Sequence, residues 1–179
     1  MPLDPYGSHM KKLAMPFAFL VVTLAVATLP LGARAAPPDP ALASRVIQLV
    51  NAARQQRGLA AVVMNQTLMQ VAQALADDLA QRRTLSHVDS SGRGIGQRFL
   101  AADYVYSLAD EAVAAGQGAP ETMVAALLSQ PGNRDTLMNP DARDAGVGFA
   151  ARPQDAAAGG IGTYWVIDLG LQVERGPGP

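Results

Sequence analysis

The segment from Asn65 to Arg83 limits the fold more than any other stretch of this sequence. It reads NQTLMQVAQALADDLAQRR, and its apolar residues recur three and four positions apart, as on one face of an α-helix. That face consists of Leu68, Val71, Ala72, Leu75, Ala76 and Leu79. Asn65 is a suitable N-cap, and Asp77, Asp78 and Arg82 lie on the opposite side. A helix of this kind requires a second layer that covers its apolar face.

A second helix is predicted nearer the N-terminus. Asp39 stands where an N-cap is expected, Pro40 suits the first helical position, and Gly58 ends the segment. The spacing assigns an inner face of Leu42, Val46, Leu49, Val50 and Ala53, and an outer face of Arg45, Gln48, Asn51, Arg54 and Gln55. The stretch LAAVVMN between the two helices is expected to be only a connection.

Two shorter helices are predicted in the middle of the chain. IGQRFLAADY indicates one that presents Phe99 and Leu100 to the core. ETMVAALLSQ indicates another that begins near Pro120, stops at Pro131 and turns Met123, Val124, Leu127 and Leu128 inward. NRDTLMNPDARDA is expected to form a turn and a short helical piece, and SLADEAVAAGQG an irregular segment that ends in glycines.

The periodicity changes in the last third of the chain. GVGFAARP and TYWVIDLGLQVE are rich in residues that favour strands, and the QDAAAGG loop separates them. These two segments therefore predict a pair of antiparallel strands. Helices followed by a strand hairpin indicate an α+β fold built in layers.

The ends of the chain have a different character. The GSHM at residues 7–10 is typical of an expression-vector scar, which we assign to residues 1–9 with Met10 as the natural start. Residues 10–35 have the charged, apolar and small-residue regions of a signal peptide. Residues 36–40 are expected to be an extended lead-in, 41–174 a single domain and 175–179 a disordered tail. The chain has no cysteine and a net charge of -1. We therefore expect an exported domain that folds without disulfides, keeps no stable membrane anchor after processing and does not bind nucleic acid.

Several familiar catalytic motifs are excluded by their context. GRGIG follows no strand and precedes no Gly-Lys-Ser/Thr sequence, so it does not predict a phosphate-binding loop. No Gly-x-Ser-x-Gly turn is present, and Ser86, His87 and Asp89 are too close in sequence to form a catalytic triad on their own. A cysteine nucleophile is impossible in a chain without cysteine.

His87 is the one histidine of the domain and the first candidate for a functional residue. A zinc site usually needs three or four protein ligands, so carboxylates would have to complete it. Asp110 and Glu111 stand out because they interrupt an apolar stretch. The alternative is structural: a buried glutamate is commonly paired with an arginine or bonded to a backbone turn.

Five blocks of sequence, taken in order, carry a family resemblance. They are LVNAARQQRGLAAVVMNQTLMQVAQALADDLA, LSHVDSSG, ADEAVAAG, LLSQPGNRDTLMNPDARDAGVGFA and YWVIDLG. Together they resemble the bacterial branch of the CAP superfamily (cysteine-rich secretory, antigen 5 and pathogenesis-related proteins). The resemblance runs from about Leu42 to Gly170 and implies a three-layer α-β-α sandwich with a central antiparallel sheet and a solvent-filled cleft.

The resemblance also implies which residues line that cleft. His87 matches a cleft histidine and Glu111 a cleft glutamate, although Ala112 replaces the asparagine that follows it in the family. The second cleft histidine is replaced by Asn133, whose amide oxygen is a weak zinc ligand and cannot act as a base at neutral pH. The family's tryptophan before that block is Leu127, the glutamine of its closing strand is Ile167, and a second cleft glutamate is missing.

These replacements favour recognition over catalysis. We expect a secreted or periplasmic, non-catalytic binding module in which His87, Glu111 and Asn133 bind a small or extended ligand, such as a cell-wall fragment, a lipid or an envelope protein. The alternative is a weakly metal-dependent hydrolase in which His87 and Glu111 hold the ion. No cofactor is expected, and a divalent metal such as zinc would bind only weakly. A third possibility is a role through another surface in an envelope assembly.

Overall fold

The computed structural model describes residues 39–157 and 161–173. The elements in chain order are α1 (Pro40–Gln55), β1 (Val63–Met64), α2 (Gln66–Arg82), α3 (Ile95–Ala101), β2 (Tyr106–Ala115), α4 (Pro120–Ser129), α5 (Pro131–Leu137), β3 (Asp144–Ala151), α6 (Pro153–Ala157) and β4 (Thr163–Gln172). The predicted vector scar, the signal peptide, most of the extended lead-in and the C-terminal tail lie outside the described residues.

The helices begin where the sequence places their caps. The side chain of Asn65 accepts hydrogen bonds from the N–H groups of Thr67 at 2.9 Å and Leu68 at 3.2 Å, and Asp39 accepts one from Ala41 at 2.9 Å. The six apolar residues predicted for the inner face of α2 are all buried. None of the described helices combines the length and hydropathy needed to cross a membrane.

The sheet has the strand order β1-β3-β4-β2. β4 is antiparallel to both β3 and β2, so the predicted hairpin of the last third is confirmed. β1 runs parallel to β3, with Val63 opposite Asp144 and Met64 opposite Ala145. The expectation that LAAVVMN only connects two helices is therefore wrong, and the central sheet is mixed rather than purely antiparallel.

Helices cover both faces of this sheet. Apolar residues of α1, α4 and α5 form one core with Ala112 and Ala114 of β2. α2 packs on the other face with Val113 and Val166, and Phe99 of α3 extends that layer. The predicted three-layer α-β-α sandwich is confirmed, and side chains of β2 alternate between the two cores.

β2 is the element that sequence analysis misses. The sequence predicts an irregular segment for SLADEAVAAGQG, but most of it forms a strand of ten residues. Alanine favours strands only weakly, and Ala112, Val113 and Ala114 are all buried, so no alternation of polar and apolar residues marks the strand. The tertiary contacts on both faces decide its conformation.

The sequence assigns two residues to the wrong environment. Arg54, predicted to face outward, is fully buried, and its guanidinium donates to the carbonyl oxygens of Ala60 at 2.8 Å and Leu137 at 2.8 Å. Helical periodicity cannot reveal this, because the carbonyl partners lie in loops and in another helix. Leu100, predicted to face the core, is 55% exposed, whereas Phe99 is fully buried as predicted.

Two glycines of β3 allow α2 to lie against the sheet. A Cβ atom on Gly146 would overlap the backbone of Leu68, and one on Gly148 would overlap the backbone of Ala72. Both glycines are buried, so neither the strand nor the helix can shift without disturbing the core. This close contact fixes the layer that carries α2, and the loop that follows α2 contributes His87.

We expect Gly148→Ala to lower the free energy of unfolding by about 1–3 kcal/mol, because the added methyl group meets helix backbone rather than a flexible side chain. Gly132→Ala is the matched control, since a Cβ atom there meets nothing within 4 Å and the residue lies in α5. Urea unfolding of both variants measures the effect. Equal stabilities would show that α2 is not held so closely to β3.

Candidate functional site

His87 lies in the segment between α2 and α3 and points toward the sheet. Its Nδ1 atom is 2.7 Å from Oε1 of Glu111. The side chain of His87 is nevertheless 60% exposed, so the rest of the ring faces solvent. The local turn is held by Ser86, whose hydroxyl accepts from the N–H of Val88 at 2.9 Å. His87 is therefore held at Nδ1 by Glu111, and the other side of its ring is exposed to solvent.

Glu111 occupies the middle of β2, with its side chain only 2% exposed. It shares a face of the strand with Val113, which packs on α2. Its second oxygen, Oε2, forms an ion pair with the guanidinium of Arg98 in α3. Glu111 therefore pairs with an arginine, as the structural alternative predicts, and also contacts His87.

Arg98 connects the parts of this site. Its side chain is 5% exposed, and its Nη1 atom donates to the carbonyl oxygens of His87 at 3.0 Å and Arg93 at 2.8 Å. One guanidinium therefore holds the loop before α3 and the carboxylate of β2 together. Because both members of the pair are buried, removing either one would leave an uncompensated charge in the core.

Asp168 is the site residue that sequence analysis does not identify. It lies on β4 directly opposite Glu111 and is fully buried. Neither of its carboxyl oxygens has a hydrogen-bond donor among the described residues. The sequence does contain a signal, because a lone aspartate within the apolar strand TYWVIDLG is unusual, and a buried carboxylate without a partner is costly.

Burial raises the pKa of Asp168 well above its ordinary value, and the negative charge of Glu111 raises it further. Burial and the neighbouring charge of Glu111 therefore both favour the neutral form of Asp168.

The pKa of His87 is raised above its ordinary value of 6.5, chiefly by the hydrogen bond to Glu111, against a smaller opposing effect of burial. A raised pKa means that the folded protein binds the His87 proton more tightly than the unfolded chain does. The resulting stabilisation is complete below about pH 6.5 and is lost as the pH rises through the pKa of the folded state. Protonated His87 donates from both ring nitrogens.

Asn133 comes from a different layer of the fold than His87. It belongs to α5, which packs on the opposite face of the sheet, and its Nδ2 atom donates to Oε1 of Gln130 at 2.8 Å. Within the described residues no hydrogen bond joins Asn133 to His87 or Glu111. Asp110 also faces away, since its Oδ2 atom accepts from Asn139 at 2.6 Å. The structure brings His87 and Glu111 together and leaves the role of Asn133 a prediction.

The donors present do not suit a divalent cation. Both oxygens of Glu111 are engaged, one by His87 and the other by the guanidinium of Arg98, whose positive charge would repel a metal ion at the same carboxylate. Within residues 39–157 and 161–173, no group of three or more histidine, aspartate or glutamate side chains is arranged so that it could hold a metal ion. Zinc chemistry through Glu111 would require Arg98 to be displaced.

The described residues do not assemble the Ser-His-acid triad of a serine hydrolase either. The contact of Glu111 with Nδ1 of His87 resembles the orienting contact of a catalytic triad, which also needs a hydroxyl at Nε2. The hydroxyl of Ser86 donates instead to the carbonyl oxygen of Val88 at 3.0 Å. No hydroxyl in the described part of the chain hydrogen bonds to Nε2 of His87.

Replacing Asp168 with an asparagine should increase stability at neutral pH. Because its pKa is raised on folding, the wild-type protein loses stability as the pH rises from the ordinary aspartate range through the pKa of the folded state. A neutral amide at this position carries no such loss, so Asp168→Asn should gain on the order of 1 kcal/mol near pH 7 and almost nothing near pH 4. Urea unfolding across this range provides the test.

The control for this experiment is Asp135→Asn, which removes a negative charge from a side chain that is 80% exposed. It should show no comparable dependence on pH. A variant Asp168→Asn that is less stable than wild type at pH 7 would contradict the assignment, because it would mean that Asp168 is ionised and stabilised by Arg98.

Comparison with known proteins agrees with this architecture. The family model described as "CAP: Cysteine-rich secretory protein family" matches residues 47–169. The protein YkwD of Bacillus subtilis strain 168 is 30% identical over 105 residues, which cover 59% of this chain and 41% of YkwD. The chain therefore spans about two-fifths of the length of this curated relative.

Two solved structures share the fold. An extracellular protein with an SCP domain from Bacillus anthracis strain Ames has a TM-score of 0.64 at 19% identity, covering 74% of this chain and 41% of that one. An outer surface protein of Borrelia burgdorferi has a TM-score of 0.65 at 23% identity, covering 73% and 92% respectively. Because the family model matches residues 47–169, more than half of the chain, the chain belongs to the CAP family, and it is similar to bacterial members of that family.

Proposed function

We propose that this protein is an exported binding module that recognises its ligand at His87 without transforming it. The observation that carries the proposal is the engagement of both Glu111 oxygens, by Nδ1 of His87 and by Arg98. Glu111 therefore holds the His87 ring in place and favours its protonated form, and it is not free to act as a base or a metal ligand. The exposed part of the His87 ring is the group offered to a ligand.

The chemistry of His87 defines the kind of ligand. With Nδ1 bonded to a carboxylate, Nε2 is the free nitrogen, and in the protonated ring it is a charged donor. A ligand with a carboxylate, phosphate or carbonyl oxygen fits this donor. Fragments of the cell wall, anionic lipids and envelope proteins all carry such groups. Asn133 remains a proposed third contact, from the opposite layer.

Export is supported by two observations. The sequence before the domain has the regions of a signal peptide, and the two similar structures belong to proteins described as extracellular and as an outer surface protein. The proposed location is the bacterial envelope or the exterior.

The proposal is tested by measuring binding of the full chain to three probes: soluble peptidoglycan fragments, phosphatidylglycerol vesicles and an unfolded polypeptide. We expect at least one probe to bind, and His87→Ala to weaken that binding about tenfold or more, as the loss of a charge-assisted hydrogen bond implies. Mass spectrometry of the recovered probe should show it unchanged.

Two variants complete the experiment. Gln66→Ala alters an exposed residue in the first turn of α2 and should leave binding intact. Asn133→Ala reports separately whether α5 contributes to the same site. Binding that His87→Ala does not affect would contradict the proposal, and cleavage of a bound probe would favour the hydrolase alternative.

A further inference from the structure

Among the strands that the structure describes, β2 has a hydrogen-bonding partner on one side only. It is the last strand in the order β1-β3-β4-β2, and it pairs with β4 along most of its ten residues. A strand in this position carries a row of backbone N–H and C=O groups that no neighbouring strand bonds. In this protein that row passes directly by Glu111 and the His87 site.

The register identifies the groups that face the free side. The N–H of Gly116 donates to the carbonyl oxygen of Thr163 at 3.0 Å, so these two residues form a hydrogen-bonded pair. Such pairs alternate along an antiparallel ladder, which turns every second residue of β2 away from β4. The residues whose backbone groups point away are Ala109, Glu111, Val113 and Ala115.

These outward groups are recessed and unpaired. Glu111 is 8% exposed and Val113 is 7% exposed, yet no hydrogen bond among the described residues reaches their outward N–H or C=O groups. The side chain of Glu111 is only 2% exposed, so the surface that this residue does expose is mainly backbone. Backbone groups at a strand edge without a partner strand can bond to a strand that is added there. The free edge of β2 therefore offers a row of such groups to a partner.

The surroundings of the edge limit what that partner can be. β2 contacts α3 on one face and α4 and α5 on the other, and His87 reaches Glu111 from the loop before α3. Helices that pack on both faces next to this edge hinder the broad approach that a second folded sheet would need. A single extended chain is narrow enough, and its amide groups repeat with the same two-residue spacing as those of β2.

We infer that the ligand of this module is an extended polypeptide segment that adds to the free edge of β2 as a further strand. The inference rests on the proposed function and names the chemical class of its ligand. Alternate N–H and C=O groups of the segment bond to Ala109, Glu111, Val113 and Ala115. His87 lies beside the added strand and offers Nε2 to a carboxylate or carbonyl oxygen, so the backbone supplies affinity and His87 supplies selectivity.

The probe for the test is a displayed library of random ten-residue peptides of L-amino acids, selected against the full chain. The strongest binder is resynthesised with a single N-methyl group at each position in turn. Added as a strand, the peptide should lose about fivefold to tenfold or more in affinity at every second position within a continuous run and much less between them.

A variant of the protein provides the matching control. Ala109→Pro removes an outward N–H, which an edge strand tolerates, and should weaken the selected peptide while thermal unfolding stays close to wild type. The inference is overturned if no peptide is selected, if the N-methyl scan has no two-residue period, or if Ala109→Pro binds as wild type does. If the inference is overturned but His87→Ala still weakens binding of peptidoglycan fragments or vesicles, the proposed binding function holds and its ligand is not an added strand.

Discussion

The site depends on the buried ion pair between Arg98 and Glu111. Arg98 comes from α3 and Glu111 from β2, and the same guanidinium bonds the carbonyl oxygens of His87 and Arg93. A buried ion pair contributes little net stability compared with apolar side chains of similar volume, but it fixes geometry strongly. Here Arg98 holds the loop that carries His87 through its backbone carbonyl, and Glu111 holds the ring through Nδ1.

Glu111 acts on both titrating groups beside it. Burial raises the pKa of the fully buried Asp168 well above its ordinary value, and the negative charge of Glu111 raises it further. The hydrogen bond to Glu111 is the chief cause of the raised pKa of His87, whereas the positive charge of Arg98 opposes protonation of the ring.

Much of the architecture can be predicted from sequence, because α2, α4 and the β3–β4 hairpin have strong local signals in their caps, periodicity and strand-forming residues. β2 cannot, since its Ala-rich segment acquires a strand conformation from burial on both faces. The residues of the site divide in the same way, into those with a signal in the sequence and those set by tertiary contacts. His87 and Glu111 stand in blocks of sequence that resemble a family. Asp168 is marked only as a lone carboxylate in an apolar strand, and Arg98 has no local signal, because their partners are set by the pairing of β2 with β4 and by the packing of α3.

The most direct measurement is an NMR titration of the full chain that follows the His87 ring in wild type, Glu111→Gln and Asn133→Ala. The chain contains two histidines, and the His87 signal is the one that His87→Ala removes. If Glu111 holds and charges the ring, His87 titrates above its ordinary pKa in the wild type and in Asn133→Ala, and its pKa falls in Glu111→Gln. A wild-type pKa at or below the ordinary value, or no change in Glu111→Gln, would contradict the role assigned to the Arg98–Glu111–His87 cluster.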